Sequence, residues 1–301
     1  MGSESVKDSW QYIILDWRLP KSFTAILVGS GLSISGLLMQ TLFRNPLAGP
    51  FVLGISSGAS LGVAILILGF SLFGGSLAAL AFSSVGLALA ASSGAFLVLS
   101  AVMLVARKLK NTMSILIIGL MFGSLTGAVI SVLSYFSNAE QLQQFIFWSF
   151  GSLGNLSWTE LSLFFAIYLF SIFLVITIIK PLNSLLLGEN YAQSLGINLK
   201  RTRNFTLIAT GLLTGVITAF AGPIAFIGLA VPHLTKLVFT TSNHKILLPA
   251  VAIIGAMTML LSDTIAQLPN SEYTLPINAI TSIFGAPIVI WLLVRKRKIN
   301  Y

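Results

Sequence analysis

Nine stretches almost free of charge, each close to the length that spans a bilayer, leave this chain no room for a soluble fold. They fall at about 22–42, 52–70, 77–105, 115–135, 158–179, 204–221, 224–240, 246–267 and 279–294, against the roughly 20 residues a helix needs to cross the hydrocarbon core. Of 301 residues, 56% are hydrophobic and only 8% charged, too few charges to coat a soluble globule of this size. The expected class is an all-α polytopic membrane protein with about nine transmembrane helices. The run at 224–240 is short and interrupted by Pro232. The whole of 1–301 reads as a single transmembrane domain, with 1–21 as a segment outside the membrane and 180–203 as a cytoplasmic region.

A net charge of +9 raises the question of nucleic acid. The basic residues, however, come in short clusters between apolar runs, which is a topological pattern and not a docking patch. If the first run goes inward, the inside receives Arg44, Arg107, Lys108, Lys110, Lys180, Lys200, Arg201, Arg203, Lys236, Lys245, Arg295, Lys296, Arg297 and Lys298. That is 14 of the 17 cations, with Lys7, Arg18 and Lys21 outside. The reverse orientation inverts the ratio, so the positive-inside rule puts the N-terminus outside and the C-terminus in the cytoplasm. Glu189 is then the one cytoplasmic carboxylate, while Glu4, Asp8, Asp16, Glu140, Glu160 and Glu272 lie outside. Trp10, Tyr12 and Trp17 sit where interfacial anchors would. No basic stretch leads into an apolar core as in a signal peptide.

The residues that carry chemistry are scarce. Without cysteine there is no disulfide, thiolate metal site or redox motif, and two histidines argue against a metal centre. No nucleophile elbow, Walker lysine loop, HExxH or paired intramembrane aspartates occur, so no catalytic residue is expected. If ATP drives the protein, another chain must bind it. Asp263 is the one acid within a run and by default a functional candidate, an ion relay. Its place a turn from the outer end, with Gln267 four residues on, weighs more for a packed or hydrated structural acid. Pro232-His233-x-x-Lys236 puts His233 and Lys236 on one helical face, His233 for helix packing and Lys236 reaching to the inner surface.

Small residues crowd the early runs (Gly29-Ser30-Gly31, Ser35-Gly36, Ser56-Ser57-Gly58, Gly62), a pattern that lets helix backbones approach closely in lipid. Gln141 to Trp158 reads as a polar, aromatic helix lying along the outer surface. The longest polar interval, Leu187 to Lys200, places Ala192 and Leu195 three apart between Gly188 and Gly196. A two-turn helix there would show a small apolar face to a groove on a partner; the alternative is a solvated loop. Ala48-Gly49-Pro50 after the first run is echoed by Ala221-Gly222-Pro223 after the sixth. Because these two runs point oppositely, blocks at 22–135 and 204–294 would be inverted four-helix repeats, an arrangement common in transporters.

Several ordered motifs carry a family resemblance. They are Arg18-Leu19-Pro20-Lys21, Gly36-x-x-x-Gln40-x-x-x-Arg44-Asn45-Pro46-Leu47-Ala48-x-Pro50, Leu53-Gly54-Ile55-Ser56-Ser57-Gly58-Ala59 and Gly188-Glu189-x-x-Ala192-x-x-Leu195-Gly196. Ala221-Gly222-Pro223-Ile224-x-Phe226-Ile227-Gly228-Leu229, Val231-Pro232-His233, Leu247-Leu248-Pro249 and Gly285-Ala286-Pro287 follow in order. From about residue 17 onward the chain resembles the permease subunits of bacterial ABC importers for iron-siderophore, haem and cobalamin.

The resemblance implies an inner-membrane permease working as a homodimer or with a homologous permease, two cytoplasmic ATPases that hold the ATP and magnesium, and an extracytoplasmic binding protein that delivers a metal chelate. No cofactor or metal on this chain is implied. Gly188, Glu189, Ala192, Leu195 and Gly196 match the helix that seats on the ATPase, with Glu189 meeting a basic surface. Asn45, Pro46 and Leu47, with Thr112 and Met113, match loops of the inner gate. Arg18 and Lys21 match basic positions that meet carboxylates of the binding protein. Two departures stand out: the family commonly has an arginine near Gln267, and it has ten spans, the first before the Arg-Leu-Pro motif, so one further apolar run is expected upstream. Two other classes remain, an ion-coupled secondary transporter working through Asp263 and a non-transporting membrane scaffold.

Overall fold

The structure, a computed structural model, describes residues 10–69, 83–109, 112–154, 156–267 and 274–297. The charges Glu4, Lys7, Asp8, Lys110, Glu272 and Lys298 lie outside the described residues. The described helices are α1 (Leu19–Leu42), α2 (Ile55–Ile67), α3 (Ser84–Ala106), α4 (Thr112–Tyr135), α5 (Ala139–Ser149), α6 (Trp158–Thr177), α7 (Ile179–Leu186), α8 (Glu189–Ser194), α9 (Leu199–Ala221), α10 (Ile227–Val238), α11 (His244–Ala266) and α12 (Ile277–Arg297). Each of the nine apolar runs has its described part on one of them, residues 70 and 77–82 lying outside the described residues. Six are long and apolar enough to cross a bilayer, and three are shorter: Ile55–Ile67, Ile227–Val238 and Ile277–Trp291.

Two differences from expectation have local causes. The stretch before residue 21 is helical from Trp10 and passes through a π-helical turn, Ile13–Arg18, directly into α1. Pro20 supplies no N–H and crowds the carbonyl of Asp16, which widens the helix just ahead of it. Of the segment expected as one surface helix, Ala139–Ser149 is helical, started by a reciprocal cap between Asn138 and Gln141. The rest turns back, held by the Ser152 amide on the Ala221 carbonyl at 2.9 Å.

The bundle is wrapped around α1. In its apolar window 83% of residues are buried, against 17% for α4, which lies at the periphery. In lipid the hydrophobic effect does not drive helices together, so close van der Waals packing must. Along α1 this is reached through paired glycines: a Cβ at Gly36 would run into the Gly228 carbonyl of α10, and one at Gly29 into the Gly255 carbonyl of α11. On α9 a buried threonine ladder faces inward: Thr202, Thr206, Thr210, Thr214 and Thr218. Thr202, Thr206 and Thr218 each donate to the carbonyl four residues back, while the hydroxyls of Thr210 and Thr214 have no partner.

Both Ala-Gly-Pro triplets sit where a long helix ends and a short one begins. After α1 the chain passes through one 3₁₀ turn, Pro50–Leu53, into α2; after α9 it runs unwound from Gly222 to Phe226 into α10. The packing on either side corresponds. α1 packs on α10 and α11 as α9 packs on α2 and α3; α2 packs on α3 and α4 as α10 packs on α11 and α12.

Because the atom opposite Gly36 is backbone, no side-chain rotation relieves a methyl group there. Gly36→Ala is expected to destabilise the fold by roughly 3 kcal/mol, the upper end for overpacking a tight site. Thermal unfolding in detergent measures it; an unchanged midpoint would show that α1 and α10 separate freely.

Candidate functional site

The loops rich in Lys and Arg gather at one end of the bundle, around α8. Gly188 and Gly196 bracket this helix with φ of 120° and 80°, a left-handed region that side chains disfavour. Both glycines are therefore needed by the chain's own path. A Cβ at Gly196 would meet nothing within 4 Å, so bulk there strains the backbone without blocking a neighbour. Ala192 and Leu195 do not share an outward face. Ala192 is 0% exposed and belongs to the core, whereas Leu187, Tyr191 and Leu195, each four residues from the next, are 66%, 51% and 55% exposed. Tyr191 and Leu195, four apart, share one exposed apolar face, and Leu187 is exposed on the other side of Gly188 at the end of α7.

Glu189, expected to face a partner, is engaged within the chain. Its Oε1 accepts a hydrogen bond from Thr112 Oγ1 at 3.0 Å, so a docking residue and a gate residue meet. Beside it, Arg203 donates to the Ala106 and Leu109 carbonyls, both at 3.1 Å, and caps the end of α3. Arg44 Nη2 donates to the Leu185 carbonyl at 3.1 Å and fixes the end of α7. Met113 is exposed.

The other expected gate loop has its own tie. The Leu47 amide donates to Asn45 Oδ1 at 2.9 Å, an Asx turn that shapes Asn45-Pro46-Leu47. His233 Nε2 lies 2.7 Å from the Pro46 carbonyl. A carbonyl only accepts, so Nε2 carries the proton. His233 thus holds a loop, beyond the helix packing expected of it. Lys236 Nζ reaches Gln40 Oε1 at 3.4 Å, and Gln40 Nε2 in turn donates to the Leu229 carbonyl at 3.3 Å.

At the opposite end, Lys21 Nζ pairs with Asp263 Oδ1 at 3.0 Å, and Gln267 Nε2 donates to Asp263 Oδ2 at 2.7 Å. Both oxygens of the candidate relay acid are engaged by side chains of this chain. Lys21 is likewise committed, and Arg18 remains exposed. These residues line a cavity of about 950 Å³ together with Trp17 and Phe150. Trp158 Nε1 donates to the Leu15 carbonyl at 3.1 Å and fastens the π-helical turn to α6.

A further knot went unread in the sequence. Buried His244 places Nδ1 2.7 Å from Asn183 Oδ1 and Nε2 2.8 Å from Thr41 Oγ1, joining α11, α7 and α1. Asn183 Nδ2 donates on to Asn243 Oδ1, which also caps α11. The one available signal was Asn243 before an apolar run, a helix-start pattern.

Among solved structures, a metal-chelate type ABC transporter in an inward-facing conformation shares this fold with a TM-score of 0.85 at 33% identity, covering 95% of this chain and 88% of that one. PsaBC from Streptococcus pneumoniae, in complex with Fab, shares it at a TM-score of 0.59 and 18% identity, covering 90% and 89%. The helical bundle is that of a multi-pass ABC transporter permease. The pattern of the FecCD transport family matches residues 2–295, and the chain belongs to that family. It is 38% identical over 282 residues to the vitamin B12 import system permease protein BtuC of Salmonella paratyphi A, covering 93% of this chain and 83% of the relative. The same protein of Citrobacter koseri is also 38% identical, with 82% of its length covered. Such relatives are inner-membrane, multi-pass transporter subunits, and so is this chain.

The outer ion pair is only partly shielded, so its coupling should be modest. A thermal-unfolding cycle over Lys21→Met, Asp263→Asn and the double variant is expected to give roughly 1 kcal/mol between the two sites. Arg18→Ala should leave stability unchanged; zero coupling in the cycle would remove the pair from the fold's supports.

Proposed function

We propose that this chain is the membrane-spanning subunit of an ATP-driven importer that takes a metal chelate of the iron-siderophore, haem or cobalamin class into the cytoplasm. The observation that carries this reading is the family match over almost the whole chain, joined to 38% identity with vitamin B12 import permeases. Those relatives make a corrinoid the first cargo to test. ATP is hydrolysed on two separate cytoplasmic subunits, and a binding protein delivers the chelate at the end where Arg18 is exposed. A second permease, the same chain or a homologue, covers the apolar face of α4, where Leu120, Met121, Leu125 and Val132 are exposed. The corresponding packing around α1 and α9 supports the inverted-repeat reading of 22–135 and 204–294. An ion-coupled transporter has little support, since Asp263 is bound by Lys21 and Gln267.

On this reading the ATPase seats on the exposed residues Leu187, Tyr191 and Leu195, not on Ala192. Leu195→Asp is expected to cut co-purification of the ATPase about tenfold or more, as loss of a buried apolar anchor does, while the permease stays monodisperse. Full ATPase recovery with this variant would move the docking site elsewhere. In proteoliposomes, chelate uptake should require an ATPase competent in hydrolysis; uptake that survives a dead ATPase and collapses with an uncoupler would sink the importer reading.

A further inference from the structure

The short connection between α3 and α4 is held on both sides by residues of the α8–α9 region. Leu109 is fixed through its carbonyl by Arg203, and Thr112, the first residue of α4, by Glu189, the first residue of α8. Thr112 and Glu189 are 77 residues apart in the chain, so the contact is a bridge through space and not along the backbone. A hydrogen bond to a carboxylate is about twice as strong as one between neutral groups. Glu189 also lies within electrostatic reach of Arg203. A cavity of about 400 Å³, lined also by Arg107 and Lys200, lies around the cluster. One carboxylate oxygen of Glu189 is thus turned toward α4, while the exposed apolar residues in and beside α8 are Leu187, Tyr191 and Leu195.

We propose that Glu189 is a positioning residue of the transport cycle, which makes α8 and the gate end of α4 move as one unit through its hydrogen bond to Thr112. This rests on the ATPase docking at α8 proposed above and on the resemblance that places Thr112 at the inner gate. Movement of the docked ATPase displaces α8; Glu189 carries Thr112 with it, and the start of α4 follows. Without the bond the ATPase still binds and hydrolyses ATP, but the gate is no longer driven.

The test is made on the assembled complex of permease, ATPase and binding protein in proteoliposomes, reading ATPase stoichiometry, ATP hydrolysis and chelate uptake per ATP. Thr112→Val and Glu189→Ala are each expected to keep the ATPase bound while uptake per ATP falls about tenfold, the equivalent of one charge-assisted hydrogen bond, whereas Glu189→Gln, whose amide oxygen still accepts from Thr112, should lose less. The double variant of Thr112→Val with Glu189→Ala should fall no further than either single one, and Thr112→Ser should restore coupling. The chain has no cysteine, so Thr112→Cys with Glu189→Cys can be joined by a short bifunctional thiol reagent without background. Because the two residues move together, the cross-link should restore uptake per ATP. A cross-link that arrests transport, additive single effects, or unchanged coupling in Thr112→Val would overturn the proposal. Loss of the ATPase in Glu189→Gln would overturn it in favour of direct docking by Glu189. If the unmodified permease fails to retain the ATPase, the docking reading fails first, and that is seen before any variant is made.

Discussion

Everything in this bundle depends on how near α1 can come to its neighbours. Hydrocarbon chains solvate a leucine as well as another helix does, so apolar area alone gives no net attraction between spans. What remains is contact at van der Waals distance, which decays within an ångström of separation. Where Gly36 meets Gly228 and Gly29 meets Gly255, one backbone lies against another, and the central helix is gripped from two sides. The peripheral helices α3, α4 and α6 then need only one packed face each.

The ends of the helices follow a different logic. There water and headgroups compete for every polar group, and the chain answers with side chains that each reach a distant carbonyl or carboxylate: Arg203, Arg44, His233 and Thr112 at one end, Lys21 at the other. Two of the links at the basic end, His233 to Pro46 and Thr112 to Glu189, land on residues that the family resemblance places at the inner gate or the docking helix. At the basic end the elements are thus joined by side-chain hydrogen bonds, while the central helix is joined to its neighbours by packed backbone.

What was legible in the sequence was set by distance along the chain. Each apolar run marks its own helix, because bilayer length and hydropathy are local properties. The small helix between Gly188 and Gly196 was readable for the same reason. Its buried face was not: Ala192 and Leu195 look alike as apolar residues, and only the approach of other helices decides that Ala192 turns inward. The partners of Glu189 and His233 lie 77 and 187 residues away, beyond any periodicity. Asp263 drew attention because a carboxylate in an apolar run is rare, yet nothing near it in sequence announces Lys21. His244 escaped because a histidine that starts a helix resembles any solvated one until Thr41 and Asn183 close around it.

The threonine ladder of α9 sets side chains in competition with that helix's own amides. A hydroxyl that donates to the carbonyl four residues back competes with the amide already bonded there, and the helix bends slightly at each such rung. Thr202, Thr206 and Thr218 are rungs of this kind, while the idle hydroxyls of Thr210 and Thr214 sit between them. On α1 the same bond is made by Thr24, Ser30, Ser33 and Thr41, so both central helices carry such rungs, and on α1 they lie beside the glycine contacts that clamp it.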